Sequence, residues 1–286
     1  MSAAAATRAP DLPGAPGPEV RLVAPRPQLP RPRPRALSLA LRAIGPLALL
    51  GGWTWASASG ALSPDLLASP GAVLSALREL WDSGQYTSAL EVSLTRAGLG
   101  LCFGVVAGLT LGVLTGFSRL GEELLDSTVQ LLRTIPFLSL VPLFMVWFGI
   151  GESARVVLIA VATAFPMYVS TSGGVRNTDR KLVEAVRSFG MGRLAVIREV
   201  VLPGALPALL SGLRLSMTLS VIALIAAEEI NSTSGIGYLM TTAQEYSRTD
   251  ILTVCVLTYA LLGLIADAVV RVLERVLMPW RVGVRR

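Results

Sequence analysis

The phrase EAVRSFGMGRLAVIREVVLPGALP begins at Glu184, with Ala185 and Val186 next, then Gly190 after three intervening residues, and Val200, Leu202 and Pro203 after nine more. Residues of these types do not make or break covalent bonds, but they can recognise a partner. Ala185 and Gly190 allow another backbone to come close, Glu184 offers a fixed negative charge to a basic surface, and Leu202 with Pro203 makes a stiff corner. Bond-breaking chemistry has little to draw on. The chain has no His, and its two cysteines, Cys102 and Cys255, both lie in apolar stretches, so a zinc site or a disulfide framework lacks ligands. The only lysine, Lys181, follows Arg180, so the Gly-Lys pair of a phosphate-binding loop is missing. No catalytic residue and no metal site is expected.

The elements that position this phrase belong to a chain that is 52% hydrophobic and 15% charged over 286 residues. Its mean hydropathy of +0.62 is too apolar for a soluble domain of this length. It reads as an all-helical, multi-pass membrane protein. The net charge of +6 lies between apolar runs rather than on one patch, which sets nucleic acid aside. A helix needs roughly 20 apolar residues to cross a hydrocarbon core. Six candidate spans meet this: about 43–62, between Arg96 and Arg119, between Arg133 and Glu152, between Arg155 and Arg176, about 205–227, and about 251–270. Pro136, Pro142 and Pro166 interrupt the third and fourth of them, and Gly98, Gly100, Gly104, Gly108 and Gly112 place a small-residue stripe in the second, suited to close helix packing.

Basic residues beside spans stay on the cytoplasmic side. Arg26, Arg31, Arg33, Arg35 and Arg42 crowd the N-terminal part, Arg176, Arg180, Lys181, Arg187, Arg193 and Arg198 the segment 176–204, and Arg271, Arg275, Arg281, Arg285 and Arg286 the C-terminal part. The outer segments keep Arg78, Arg96, Arg155 and Arg248, so both termini are expected to be cytoplasmic. Residues 1–36, rich in Pro, Ala and Arg, are expected to form a disordered basic tail held near anionic lipid, and 37–286 to form the membrane domain. Ser69, Pro70 and Gly84 frame a short amphipathic helix, with Val73, Leu74, Leu77, Leu80 and Trp81 on its apolar face, lying on the outer membrane surface.

In the opening phrase, Thr178 or Asp179 caps a helix with Leu182, Ala185, Val186 and Phe189 on one face, and Gly190 stands where it stops. A second helical run, Arg193 to Val201, is expected to be closed by Pro203. This phrase resembles the cytoplasmic signature of the membrane-spanning subunits of binding-protein-dependent ABC importers: Glu-Ala-Ala, three residues, Gly, nine residues, Ile, any residue, Leu-Pro. Val186 and Val200 are conservative departures from it. The resemblance implies a type I importer permease fold in the cytoplasmic (inner) membrane, acting as a homodimer. It makes 176–204 a coupling element in which Glu184, Ala185, Gly190, Leu202 and Pro203 meet a separate ATPase. Two copies of that ATPase would bind ATP and Mg, this chain would carry no cofactor of its own, and an extracytoplasmic binding protein would deliver the cargo.

Further phrases, WFGIGESAR, GVRNTDR, NSTSGIGYL and YALLGLIAD, look like the permeases for aliphatic sulfonates. Taurine, nitrate and pyrimidine-precursor permeases belong to the same wider group and supply the alternative cargoes. An anion in a membrane cavity is met by hydroxyl and amide donors, helix N-termini or Arg. Thr134, Ser139, Trp147, Tyr168, Glu228 and Asn231 are the candidate translocation-path residues, with Thr163, Ser170, Thr171, Ser172, Ser232, Thr233 and Ser234 as weaker ones. Interhelical packing is the alternative role for each hydroxyl. Glu228 and Glu229 sit at an apolar edge, where acids are costly. Gating, or pairing with Arg248 or Arg155, suits them better than contact with an anion. Neither an intramembrane enzyme nor a scaffold without transport accounts for both the missing catalytic residues and the coupling phrase.

Overall fold

The computed structural model describes residues 35–118, 121, 123, 127–230 and 232–279. Among the described residues the regular structure is helical throughout. The helices are α1 (Arg35–Ala58), α2 (Pro70–Asp82), α3 (Gln85–Phe117), α4 (Ser127–Thr134), α5 (Val141–Phe148), α6 (Glu152–Arg176), α7 (Arg180–Ser188), α8 (Arg193–Val196), α9 (Leu202–Glu229), α10 (Ile236–Glu245) and α11 (Thr249–Leu277). The chain forms two compact units divided between Leu50 and Gly51, within α1. The basic tail expected over 1–36 lies outside the described residues as far as residue 34, and α1 begins at Arg35.

Among the described residues, four helices are long and apolar enough to cross a membrane: α3, α6, the run Arg193–Glu229 and α11. They correspond to the expected second, fourth, fifth and sixth spans. The expected third span is not one helix. α4 ends before Pro136, a 3-10 turn covers Phe137–Leu140, and α5 ends at Gly149 with φ +80. Pro136, with ψ 115, breaks the run, since it lacks the amide proton a continuous helix uses and disfavours helix in the residue before it, whereas Pro142 sits in the first turn of α5, where that proton is not needed. Pro166, by contrast, sits inside α6 without ending it.

α3 and α6 pack along the glycine stripe. A Cβ on Gly100 would overlap Ile159, one on Gly104 would overlap Thr163 and the Ala160 carbonyl, and those on Gly108 and Gly112 would overlap the backbone or side chains of Ala164, Met167, Tyr168 and Thr171. Gly116 continues the stripe against Val175, whereas Gly98 faces open space and is off it. With no side chain between them the two backbones come as close as helices can, and dispersion replaces the missing side chains.

Ser69 caps α2 as expected, its Oγ accepting from the Ala72 amide at 3.2 Å, with Pro70 in the first turn. The buried face is Val73, Ala76 and Leu80, while Leu74 and Trp81, expected on the same apolar face, are exposed. Two of the arginines assigned to outer segments are not in loops at all. Arg96 lies within α3 at 2% exposure and Arg155 within α6 at 4%.

Candidate functional site

At the end of the bundle where α6 begins and α9 finishes, Arg96 from α3 enters a buried polar cluster. Its Nε and Nη2 donate to the two carboxylate oxygens of Glu152 at 2.6 and 2.5 Å. Nη1 donates to Glu228 Oε1 and to the Ser234 carbonyl, both at 2.8 Å, and Nη2 also donates to Ser234 Oγ at 3.0 Å. All five N–H bonds of the guanidinium therefore have acceptors. Glu228, at 0% exposure, is equally well provided. Besides Arg96 it accepts from Ser93 Oγ at 2.7 Å, from the Gly237 amide at 2.9 Å and from the Tyr259 hydroxyl at 3.2 Å. Ser93 Oγ in turn accepts from the Ile236 amide at 2.9 Å.

The segment between α9 and α10 is shaped by this cluster. Gly235 holds φ +105, and a Cβ there would strike the Glu228 carboxylate and the Arg96 guanidinium. A Cβ on Gly237 would strike Glu228 itself. The Gly-Ile-Gly of NSTSGIGYL is thus the backbone that closes over a buried ion pair. Glu152 remains exposed on its outer side and also meets Arg155 Nη1 at 3.3 Å. One cluster therefore ties α3, α6, α9, α10 and α11 together.

The sequence pointed to Glu228 but to the wrong partners. Arg248 instead pairs with Asp250 and Glu79, at 3.0 and 3.2 Å, and Arg155 with Glu152. Arg96, Ser93, Glu152 and Tyr259 carry no such signal in the sequence, where an arginine at the edge of an apolar run reads as its flank rather than as a residue within a helix. The other path candidates do not gather around Glu228. Thr134 donates to the Leu131 carbonyl at 2.7 Å and, with Ser139 and Trp147, lies exposed on the broken segment of α4 and α5. Tyr168 is buried in α6, and Asn231 lies outside the described residues. Thr163 and Ser216 hold α6 to α9, Ser216 Oγ donating to the Thr163 carbonyl at 2.8 Å.

At the opposite end, α6 runs out into the segment 176–204. Asp179 caps α7, its Oδ1 accepting from the Lys181 amide at 2.9 Å, and Gly190 turns the chain with φ +83. Val183, Val186 and Met191 pack inward on Val175, Val196, Val201 and Ala205. Leu182, Phe189 and Leu194 face outward, Phe189 at 88% exposure, and Glu184 and Ala185 are exposed beside them. α7 thus has two apolar sides where one was expected, with Val186 on the inner one. Nor does Pro203 close the second run. A π turn over Ile197–Val201 leads directly into α9, so that Pro203 follows the π turn inside one continuous helical run, Arg193–Glu229.

A family model described as a binding-protein-dependent transport system inner membrane component matches residues 104–278. An aliphatic sulfonates transport permease of Escherichia coli strain K12, SsuC, is 44% identical over 82% of this chain and 89% of its own. The Bacillus subtilis strain 168 protein of the same name is 37% identical over 82% of this chain and 86% of its own. The taurine transport system permease TauC of Escherichia coli is 34% identical over 87% and 92%. Among solved structures, the inward-facing MetNI methionine ABC transporter aligns with TM-score 0.51 at 23% identity, covering 64% of this chain and 94% of that one. An amino acid ABC transporter aligns with TM-score 0.58 at 19% identity, covering 70% and 97%.

Proposed function

Because this chain belongs to the binding-protein-dependent transport system inner membrane components, a family of multi-pass ABC importer permeases with separate ATPase subunits, we propose that its cargo is an aliphatic sulfonate. The observation that carries this reading is the 44% identity to a sulfonate permease, sustained over most of both chains. In the proposed assembly two copies of the chain pair about a twofold axis, each with one ATPase at its α7 end, and ATP and Mg are held by that partner. An external binding protein delivers cargo at the other end. Taurine is the second reading, favoured by the 34% relative.

The geometry supports a route for the force. Phe189, Leu182 and Leu194 present an apolar knob that a groove on an ATPase would cover, with Glu184 beside it for a basic residue. Motion of α7 passes through the packed valines and the π turn into α9, whose far end carries Glu228. There the Arg96 cluster transfers it to α3 and α6. The rod between the two sites is α9 itself.

ATP-driven uptake of a labelled alkanesulfonate, reconstituted with the partner ATPase and binding protein, tests the cargo. Competition by other alkanesulfonates and not by taurine or nitrate is the expected result; stronger competition by taurine would replace the sulfonate reading with the second. For the coupling element, Glu184→Lys is expected to lower uptake at least tenfold while the amount of permease in the membrane stays constant. Gly190→Ala forces a left-handed residue to carry a side chain, at a local cost of about 1–2 kcal/mol, and is expected to lower uptake less. Undiminished transport by both variants would detach this element from energy coupling.

A further inference from the structure

Outside the Arg96 cluster, the starts of α3 and α11 and the end of α10 line an open cavity of about 410 Å³, with α2 contributing Leu80. Its other lining residues are Gln85, Leu239, Thr242, Ala243, Tyr246, Arg248 and Ile251. This volume falls in the range that holds small ligands, and the lining is divided in the same way. Leu80, Leu239 and Ile251 make an apolar wall. Gln85, Thr242 and Arg248 bring polar groups to it.

Three observations identify the occupant. The first is depth. Trp81 and Tyr86, the chain neighbours of the lining residues Leu80 and Gln85, have ring centroids 5.9 Å apart, and Trp81 and the lining residue Tyr246 are exposed. In a membrane component, exposed Trp and Tyr at helix ends mark the headgroup level. The second is charge. Arg248 donates from Nε and Nη2 to Asp250 and from Nη2 to Glu79, while its Nη1 has no hydrogen-bond partner among the described residues. One guanidinium beside two carboxylates complements a ligand that has an anionic oxygen and a cationic group side by side, and repels one with anionic oxygens alone. The third is the apolar wall, which suits methylenes continuing from the same ligand.

We propose that this cavity holds a phospholipid with an ammonium headgroup, its phosphate on Arg248 Nη1 with Gln85 or Thr242, its ammonium toward Glu79, and its first chain carbons along Leu80, Leu239 and Ile251. The lipid would fill the seam between α2, α3, α10 and α11. The site depends on the chain being a membrane component and is independent of which cargo is carried.

The test is native mass spectrometry of the full chain, delipidated and then titrated with phosphatidylethanolamine or phosphatidylglycerol. Phosphatidylethanolamine is expected to bind the wild-type chain about tenfold more tightly, the worth of one charge-assisted hydrogen bond. Thr242→Trp fills the cavity and is expected to abolish that binding, with an unchanged melting temperature in detergent showing that the fold is intact. Glu79→Gln, at an exposed position, is expected to leave phosphatidylethanolamine bound but remove the preference. Equal or tighter binding of phosphatidylglycerol by the wild-type chain overturns the proposal. So does wild-type phosphatidylethanolamine binding by Thr242→Trp.

Discussion

Arg96→Ala is expected to destabilise the chain by about 3–5 kcal/mol, because it leaves Glu228 buried, charged and without its counter-ion. It also removes both hydrogen bonds to Glu152 and the two that hold Ser234, so the segment over the cluster loses its anchor. Glu228→Ala is expected to cost less. Arg96 would keep Glu152, which is exposed and already solvated, and the acceptors on Ser234. The asymmetry separates an ion pair from simple packing. Thermal unfolding in detergent of both single variants and of the Arg96→Ala/Glu228→Ala pair measures it. The pair is expected to be more stable than Arg96→Ala alone, since the orphaned charge is gone; a double variant destabilised relative to the parent chain by the sum of the two single effects would mean that the two groups do not interact.

Gly104→Leu is the second large effect. Gly104 lies where α3 meets Thr163 and the Ala160 carbonyl, and even a methyl group there would overlap backbone that cannot turn aside. The substitution must force α3 away from α6 along the whole stripe from Gly100 to Gly116, breaking contacts well beyond its own site. Overpacking of this kind costs about 1–3 kcal/mol where neighbours can move, and more where the obstacle is main chain. Folded yield from the membrane is expected to fall at least fivefold. Gly98→Leu is the matched control, since a Cβ at Gly98 meets nothing within 4 Å, and it is expected to fold like the parent chain. Comparable losses for both variants would refute the stripe as the helix contact.

Periodicity and punctuation made much of this legible beforehand. Ser69 with Pro70, and Asp179 with Gly190, announce the ends of α2 and α7 because capping is local chemistry written in adjacent residues. Glycines at every fourth position announce the α3–α6 contact for a similar reason. What could not be read was pairing across the fold. Arg96 meets Glu152 and Glu228, 56 and 132 residues away, and nothing near Arg96 in the chain distinguishes it from an arginine bordering a span. Its span also begins at Gln85, well before the residue that bracketed it by charge. The π turn was equally hidden, since Ile197 to Val201 are ordinary helix formers in either register.

That turn carries one residue more than an α-helical turn would hold. Relative to an unbroken α-helix, everything ahead of Ile197 is therefore rotated by about 100° against everything after Leu202. The direction in which Phe189 points is a matter of angular phase, fixed by how many residues lie between Gly192 and Pro203 more than by which residues they are. A chain with this joint tolerates changes of side chain there better than changes of length. Removing one residue would regularise the helix and aim the same apolar knob at a different quadrant.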